Sequence, residues 1–375
     1  MADLSSIKGE LGEVLKKISK HSVNSISLAS SVPQIKRLPF GLFEMDTLTN
    51  GGMPYNRITT VWGIEGSGKG NLVFNAIRMS QMMNPRKVQV WVDAEGTFDP
   101  TWAIRFGINL DFLIVYKPPT GEDACDAIEA FTKADEVDMV VVDSLPALVP
   151  VRELERSMDT AEVGGNALLI RRLTNKLVTA LTGEEARGHE VLVVYINQVR
   201  FKIGQMHGNP ESMPCGIAPR FFSSLIIKLY AKDVFDKAIN AEKASFRETN
   251  VTLTKSKVFV NGRTTVYKIA LIATDDIPVG RCDSWNAVNN YLKNFGLIEK
   301  VKEGYELFVQ GKGKKPVVYE RLMDVKAAYQ IDPAFANLLH NLIATEMSGD
   351  ATYIEDKKDT APKNPLKLTM GKANG

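Results

Sequence analysis

Residues 57–83 read RITTVWGIEGSGKGNLVFNAIRMSQMM: an apolar, β-branched run, a loop built on glycines, and a helical pattern that begins near Lys69. Within it Gly63, Gly68 and Lys69 satisfy the phosphate-loop pattern G-x-x-x-x-G-K-[ST] up to its last position, where Gly70 replaces the hydroxyl that holds Mg²⁺. A loop placed between a strand and a helix points its backbone N–H groups at an anion. The helix N-terminus adds partial positive charge, and a lysine such as Lys69 reaches the β and γ phosphates. The other reading of these residues is a tight glycine turn with a solvated lysine, which the strand and helix on either side argue against.

Outward from the loop the same alternation continues. Apolar runs VQVWVDAE, DMVVVDS, EVLVVYINQ and SSLIIKLY are separated by the helical stretches GEDACDAIEAFTKA and residues 163–182. Strands that are apolar on both faces and separated by helices belong to a parallel sheet covered on both sides. The expected fold is therefore α/β with a mostly parallel central sheet, occupying residues 38–274 as one core. Residues 275–350, with short helices and the hairpin-like YELFVQGKGKKPVVYE, read as a small C-terminal α+β domain. Residues 1–37 read as a helix, with Ile7, Leu11, Val14, Leu15 and Ile18 at helical spacing, followed by a linker. One amphipathic helix cannot bury its own apolar face, so it docks on its own core or on a neighbour. Residues 351–375 carry five lysines from Lys357 onward and no periodicity, the pattern of a disordered basic tail.

Two acids at strand ends give the loop a chemistry. Asp143 closes DMVVVD, where an open parallel sheet places an acid to orient Mg²⁺ through its waters; the alternative is an acid that caps a turn. Glu95 closes VQVWVDAE at the same edge, where a carboxylate polarises a water for in-line attack on a γ-phosphate; Asp93, two residues back, is expected to lie deeper. The expected cofactors are ATP and Mg²⁺. Composition narrows the class further. The 46 Lys and Arg nearly balance the 44 Asp and Glu, so affinity for a polyanion must come from local patches. The cysteines, Cys125, Cys215 and Cys282, have no metal-like spacing, and no apolar run approaches the roughly 18 residues of a membrane span. A cytoplasmic protein is expected, with no membrane partner.

VDAEGTFDPTWAIRFGIN, VDMVVVDSLPALVP and above all INQVRFKIGQMHGNPES resemble the RecA family of recombinases, from about Leu38 to Lys257. The resemblance implies an ATP-dependent protein that coats single-stranded DNA as a helical filament, pairs it with homologous duplex DNA, exchanges strands and hydrolyses ATP when DNA is bound. It implies nucleoid association and, as partners, single-strand-binding protein or mediators. Residue by residue it assigns Gly63, Glu65, Gly66, Ser67, Gly68 and Lys69 to the phosphate loop, with Gly70 and Asn71 following. Glu95 becomes the water-activating glutamate and Asp143 the Walker B acid. Asp99 and Trp102 hold adenine, and Gln198 senses the γ-phosphate.

The segment after Gln198 matches the second DNA-binding loop. Arg200, Lys202 and Arg220 supply cations, Gly204, Gly208 and Gly216 let the backbone approach the strand, Cys215 stands beside Gly216 in the same DNA-binding loop, and Ile203 is an apolar wedge between bases. The first DNA loop matches ERSMDTAEVGGN with Val163 as its wedge; Arg171 and Arg172 follow on a helix. Lys255 and Lys257 match a lysine pair that reaches the ATP of an adjacent subunit, and alternation on a strand puts both on one face. In this family the N-terminal helix docks on the neighbour.

Departures from the family pattern are Gly70, Cys215 where a glycine is usual, and a basic tail where bacterial members have an acidic one; they describe a divergent member, such as a phage-encoded one. Gly70 keeps a second function class open, a nucleotide-switched DNA-binding mediator that does not hydrolyse ATP.

Overall fold

The computed structural model describes residues 9–19, 34–155, 165–201, 211–240, 242–258, 261–274, 277–282, 284–311 and 313–348. Val163, Lys202, Ile203, Gly204, Gly208 and the tail beyond 350 lie outside the described residues.

Helix α1 (Glu10–Ser19) comes first, and two short strands, β1 (Arg37–Leu38) and β2 (Met53–Pro54), then flank α2 (Phe43–Thr49). The strand β3 (Ile58–Gly63) leads through the glycine loop into α3 (Lys69–Met83). Next come β4 (Val88–Asp93), α4 (Pro100–Arg105), β5 (Leu113–Tyr116), α5 (Gly121–Thr132), β6 (Val137–Asp143), α6 (Val151–Leu154), α7 (Gly165–Arg187) and β7 (Leu192–Gln198). A small ribbon, β8 (Arg200–Phe201) and β9 (Glu211–Ser212), precedes α8 (Ala218–Phe222) and the long strands β10 (Leu225–Val234), β11 (Phe246–Ser256) and β12 (Thr264–Ala270).

The eight-stranded sheet has the order β12-β11-β10-β3-β7-β6-β4-β5. From β10 to β5 all neighbours are parallel; β11 and β12 add an antiparallel edge. The continuous apolar runs follow from burial on both faces: Val61, Trp91, Val141 and Val194 face one cluster with α3, and Ile58, Val90, Val140 and Val193 face the other with α5 and α7. Period-2 alternation thus survives inside strands that look uniformly hydrophobic in sequence.

The C-terminal unit comprises α9 (Trp285–Asn294), the antiparallel sheet of β13 (Ile298–Val301), β14 (Gly304–Leu307) and β15 (Val317–Tyr319), α10 (Leu322–Ile331) and α11 (Pro333–Ser348). Its core includes Trp285, Leu307 and Phe335, and also Phe43 from the far end of the chain. The helix α2 therefore serves two cores, since Met45 and Leu48 face the main cluster. Helix α1 leaves Leu11 57% and Val14 50% exposed, so those two apolar side chains are not covered by their own chain. No helix among the described residues is long and apolar enough to cross a membrane.

Candidate nucleotide site and nucleic-acid interface

The loop between β3 and α3 has little room for side chains where it passes the sheet. A Cβ on Gly63 would lie 2.5 Å from the Leu229 carbonyl oxygen, and Gly66 and Gly68 adopt φ of 71° and 83°, the left-handed region that glycine tolerates. Ser67 Oγ is buried with no hydrogen-bond partner. Lys69 Nζ folds back on the loop, donating to the carbonyls of Gly63 at 3.1 Å and Ile64 at 2.8 Å. Burial lowers its pKa, while Asp143, Glu95 and the exposed Glu65 act the other way. The cradle, an orphaned hydroxyl and an ammonium held at the loop fit the phosphates of a nucleotide. At Gly70 an added Cβ would meet nothing within 4 Å, so space does not explain the missing hydroxyl.

The acids gather opposite. Asp93 and Asp143 are paired across β4 and β6, and Glu95 lies just past β4. Asp93 is committed to the chain, its carboxylate accepting from Thr97 N at 3.0 Å and Phe98 N at 3.2 Å, which fixes the turn that carries Glu95 outward. Burial, then the neighbouring Glu95 and Asp93 charges, push Asp143 up to about 7 against the opposing pull of Lys69. A carboxylate so burdened fits a site for a divalent cation, which would relieve the crowding of negative charge. Glu95 is exposed; its Oε1 accepts from Gln198 Nε2 at 2.8 Å and from the Ser144 hydroxyl. The tips of three parallel strands thereby converge on one carboxylate. Ser144 escaped sequence reading, although its place directly after a strand-terminal Asp143 was the available signal.

Asp99 caps α4, accepting from Thr101 N at 2.8 Å and Trp102 N at 3.2 Å, a contact of about 1 kcal/mol. The Trp102 indole donates to Asn71 Oδ1 at 3.0 Å. Asn71 is therefore occupied in tying α3 to the Asp99–Trp102 segment, and its carbonyl oxygen is no free stand-in for the hydroxyl absent at Gly70.

Lys255 and Lys257 lie at the other end of the sheet. Through β10, Lys255 is level with Thr60, near the start of β3, and the Lys257 amide donates to Ser224 O at 2.8 Å. Both ammoniums lie over the Phe221 ring, at 5.9 and 5.6 Å from its centroid, and Lys255 Nζ also donates to the Arg220 and Phe221 carbonyls at 2.6 Å. Burial, with Lys257 and Arg220 nearby, lowers the Lys255 pKa. Phe221 is 64% exposed and was not among the residues singled out from sequence.

Around the DNA-loop positions, Arg200 is exposed on the β8–β9 ribbon, and Arg171, Arg172 and Arg220 are exposed on helices. Gly216, with φ 77°, lies close to Ala167: an added Cβ would come within 3.3 Å of it. Cys215 departs from expectation. The residue is 7% exposed and belongs to the core cluster beneath α7, with its backbone at φ 69°.

The family model of the RecA N-terminal domain matches residues 5–273. Protein RecA of Methylococcus capsulatus is 34% identical over 260 residues, covering 69% of this chain and 72% of that protein. Protein RecA of Aquifex pyrophilus is 35% identical over 256 residues, covering 68% and 70%. The crystal structure of the RadB recombinase aligns at 23% identity with a TM-score of 0.45, over 62% of this chain and 96% of that one.

Proposed function

The chain belongs to the RecA family, and from that premise we propose an ATP-dependent, single-stranded-DNA-binding recombinase that assembles as a helical filament, pairs homologous DNA and hydrolyses ATP when DNA is bound. The observation that carries the reading is the junction at Glu95, where a carboxylate beside the phosphate loop is tied by hydrogen bonds to Gln198 and Ser144.

The loop from Gly63 to Gly68 and Lys69 bind the ATP phosphates, and Asp143 holds Mg²⁺ through water. Bound there, Mg²⁺ supplies charge neutralisation of the phosphate oxygens. Lys69 exchanges its bonds to the Gly63 and Ile64 carbonyls for phosphate oxygens. Asp99 and Trp102 flank the adenine, and Asn71 keeps that segment in register with α3. Glu95 takes the proton of the attacking water. Gln198 donates to Glu95, so a γ-phosphate that attracts the Gln198 amide draws on the same donor. Because Gln198 ends β7 immediately before the DNA-loop segment, that exchange gives nucleotide state a direct route to Arg200, Lys202 and Ile203.

Lys255 and Lys257, at the far end of the sheet, complete the site of a neighbouring subunit, and α1 docks on that neighbour through Leu11 and Val14. Single-strand-binding protein or mediators are further partners in this reading, and the location is cytoplasmic.

The test is phosphate release with and without single-stranded DNA at saturating Mg²⁺, together with DNA binding across a salt titration. DNA-stimulated release and ATP-dependent, steeply salt-sensitive binding are expected. Gly70 favours a second reading, a switch that binds nucleotide without hydrolysing it; ATP-dependent DNA binding with no phosphate release would select it.

A further inference from the structure

Two arginines far from the phosphate loop have surroundings unlike those of the other charged side chains. Arg78 sits on α3 about 14 Å along the helix from Lys69, at 1.5 Å per residue. It is 5% exposed; its Nη1 reaches the Met82 thioether at 3.3 Å, and its Nε has no partner. Arg281 donates from Nη1 to Asn75 Oδ1 at 3.2 Å. Gly107 lies between the two: a Cβ there would be 3.5 Å from both Arg281 Nη2 and Arg78 Cδ.

Among the described residues no carboxylate comes within 4.0 Å of either guanidinium. The nearest acid in charge terms is Asp46, and its carboxylate is committed to the backbone N–H groups of Phe40 at 2.6 Å and Gly41 at 3.1 Å. Burial pushes Arg78 down to about 9, with repulsion from Arg281 adding to it, and burial pushes Arg281 down to about 10.

Both side chains line a cavity of about 100 Å³ between α3 and the C-terminal unit, where Ser284, Tyr329 and His340 form the opposite wall. His340 Nδ1 is also buried without a hydrogen-bond partner, 3.8 Å from Asp46 Oδ2, while its Nε2 meets the Tyr329 hydroxyl at 2.9 Å. If Tyr329 donates there, Nδ1 carries the proton and is a donor. Two guanidiniums that have no carboxylate partner among the described residues, and an imidazole nitrogen with no hydrogen bond shorter than its 3.8 Å approach to Asp46, thus share one small cavity. Burying like charges together is strongly unfavourable unless an anion lies between them.

We propose that this cavity binds a small tetrahedral oxyanion, inorganic phosphate above all, gripped by Arg78 and Arg281 with His340 as a further donor. Planar guanidiniums match phosphate oxygens two at a time. A cavity of this size, about 100 Å³, has room for phosphate or sulfate. One arginine lies on the helix of the phosphate loop and the opposite wall belongs to the C-terminal unit, so the anion clamps the two parts of the molecule together. None of this depends on the recombinase reading.

The experiment uses full-length protein carrying Lys69→Ala, which weakens phosphate binding at the loop. Phosphate binding is measured by equilibrium dialysis, and Tm is measured in potassium phosphate and in potassium chloride of equal ionic strength. One phosphate per chain and a phosphate-specific rise in Tm are expected, both lost in Arg78→Met and in Arg281→Met. A ligand that binds only the folded state raises stability in this way. The two variants are also expected to be as stable as the parent or more so in chloride, because each removes a desolvated positive charge from the shared cavity, an outcome that a merely structural arginine would not give. Excess single-stranded oligonucleotide should leave the bound phosphate in place. Equal stabilisation by the two salts, binding that persists in both arginine variants, or displacement by DNA would each overturn the proposal.

Discussion

The two ends of the parallel sheet are opposites. At the carboxyl end stand a phosphate cradle, three acids and a glutamine; at the amino end stand two lysines over an exposed phenylalanine. Lys255 is level with Thr60, three residues before Gly63, and its ammonium points to the carbonyls of α8, away from the loop. A phosphate bound at Lys69 therefore has an acid-rich surround on its own subunit, and the cations suited to transition-state charge lie at the far edge. In the proposed reading the two ends are the two halves of one site, which stacking of subunits would unite.

The largest effect expected is at the amino end. Lys255→Ala and Lys257→Ala should each lower DNA-stimulated ATP turnover by about 10³-fold, the scale of a charge-stabilising finger supplied in trans, while isolated subunits still bind nucleotide. At the carboxyl end Glu95→Gln should lower turnover by about 10²-fold or more with ATP binding retained. Mixing Lys255→Ala with Glu95→Gln protein should then recover activity, since some interfaces join an intact loop to an intact lysine pair. No recovery at any ratio from mutants shown to co-assemble would break the contrast between the two ends.

Smaller effects sharpen it. Arg200→Ala should weaken single-stranded DNA binding and reduce the slope of log affinity against log salt by about 0.7, as loss of one phosphate contact requires. Gly70→Thr should lower the Mg²⁺ concentration for half-maximal turnover severalfold and raise the rate, because space for the side chain is open. Gly70→Ala should stabilise by roughly 0.5–1 kcal/mol in thermal unfolding and leave the Mg²⁺ dependence unchanged, which separates helix propensity from metal binding.

The carboxyl end was readable because its chemistry is local in sequence: a strand, a loop and a helix in consecutive residues, and acids where apolar runs stop. Much of the rest depends on contacts that no short window contains. The strand β11 follows from pairing with β10 and β12 from pairing with β11, and of this stretch only the segment that carries Lys255 and Lys257 reads as a strand in sequence. Arg78, on a helix of ordinary composition, reads as a solvated charge until segments distant in sequence, at Gly41, Gly107 and Arg281, are seen to close around it. Cys215 occupies a loop position by sequence and a core position by packing. Asn71, which follows the phosphate loop in sequence, turns its oxygen to Trp102, thirty-one residues away. Ser144 and Phe221 acquire meaning only from Glu95 and the lysines that they touch.

The shared helix α2 bears on how the chain is made. Phe43 belongs to the core completed by Trp285, Leu339 and Ile343, and nearby Glu44 receives its hydrogen bonds from Ser284, 240 residues later. During synthesis the main sheet can close as soon as β12 has emerged, yet one aromatic side chain at its margin stays uncovered until the last helices leave the ribosome. At 5–20 residues per second, the roughly 75 residues from β12 to the end of α11 take about 4–15 seconds to make. Over that interval a nearly finished subunit displays a greasy docking point that the completed subunit hides, so premature association of nascent chains on one message would centre on Phe43.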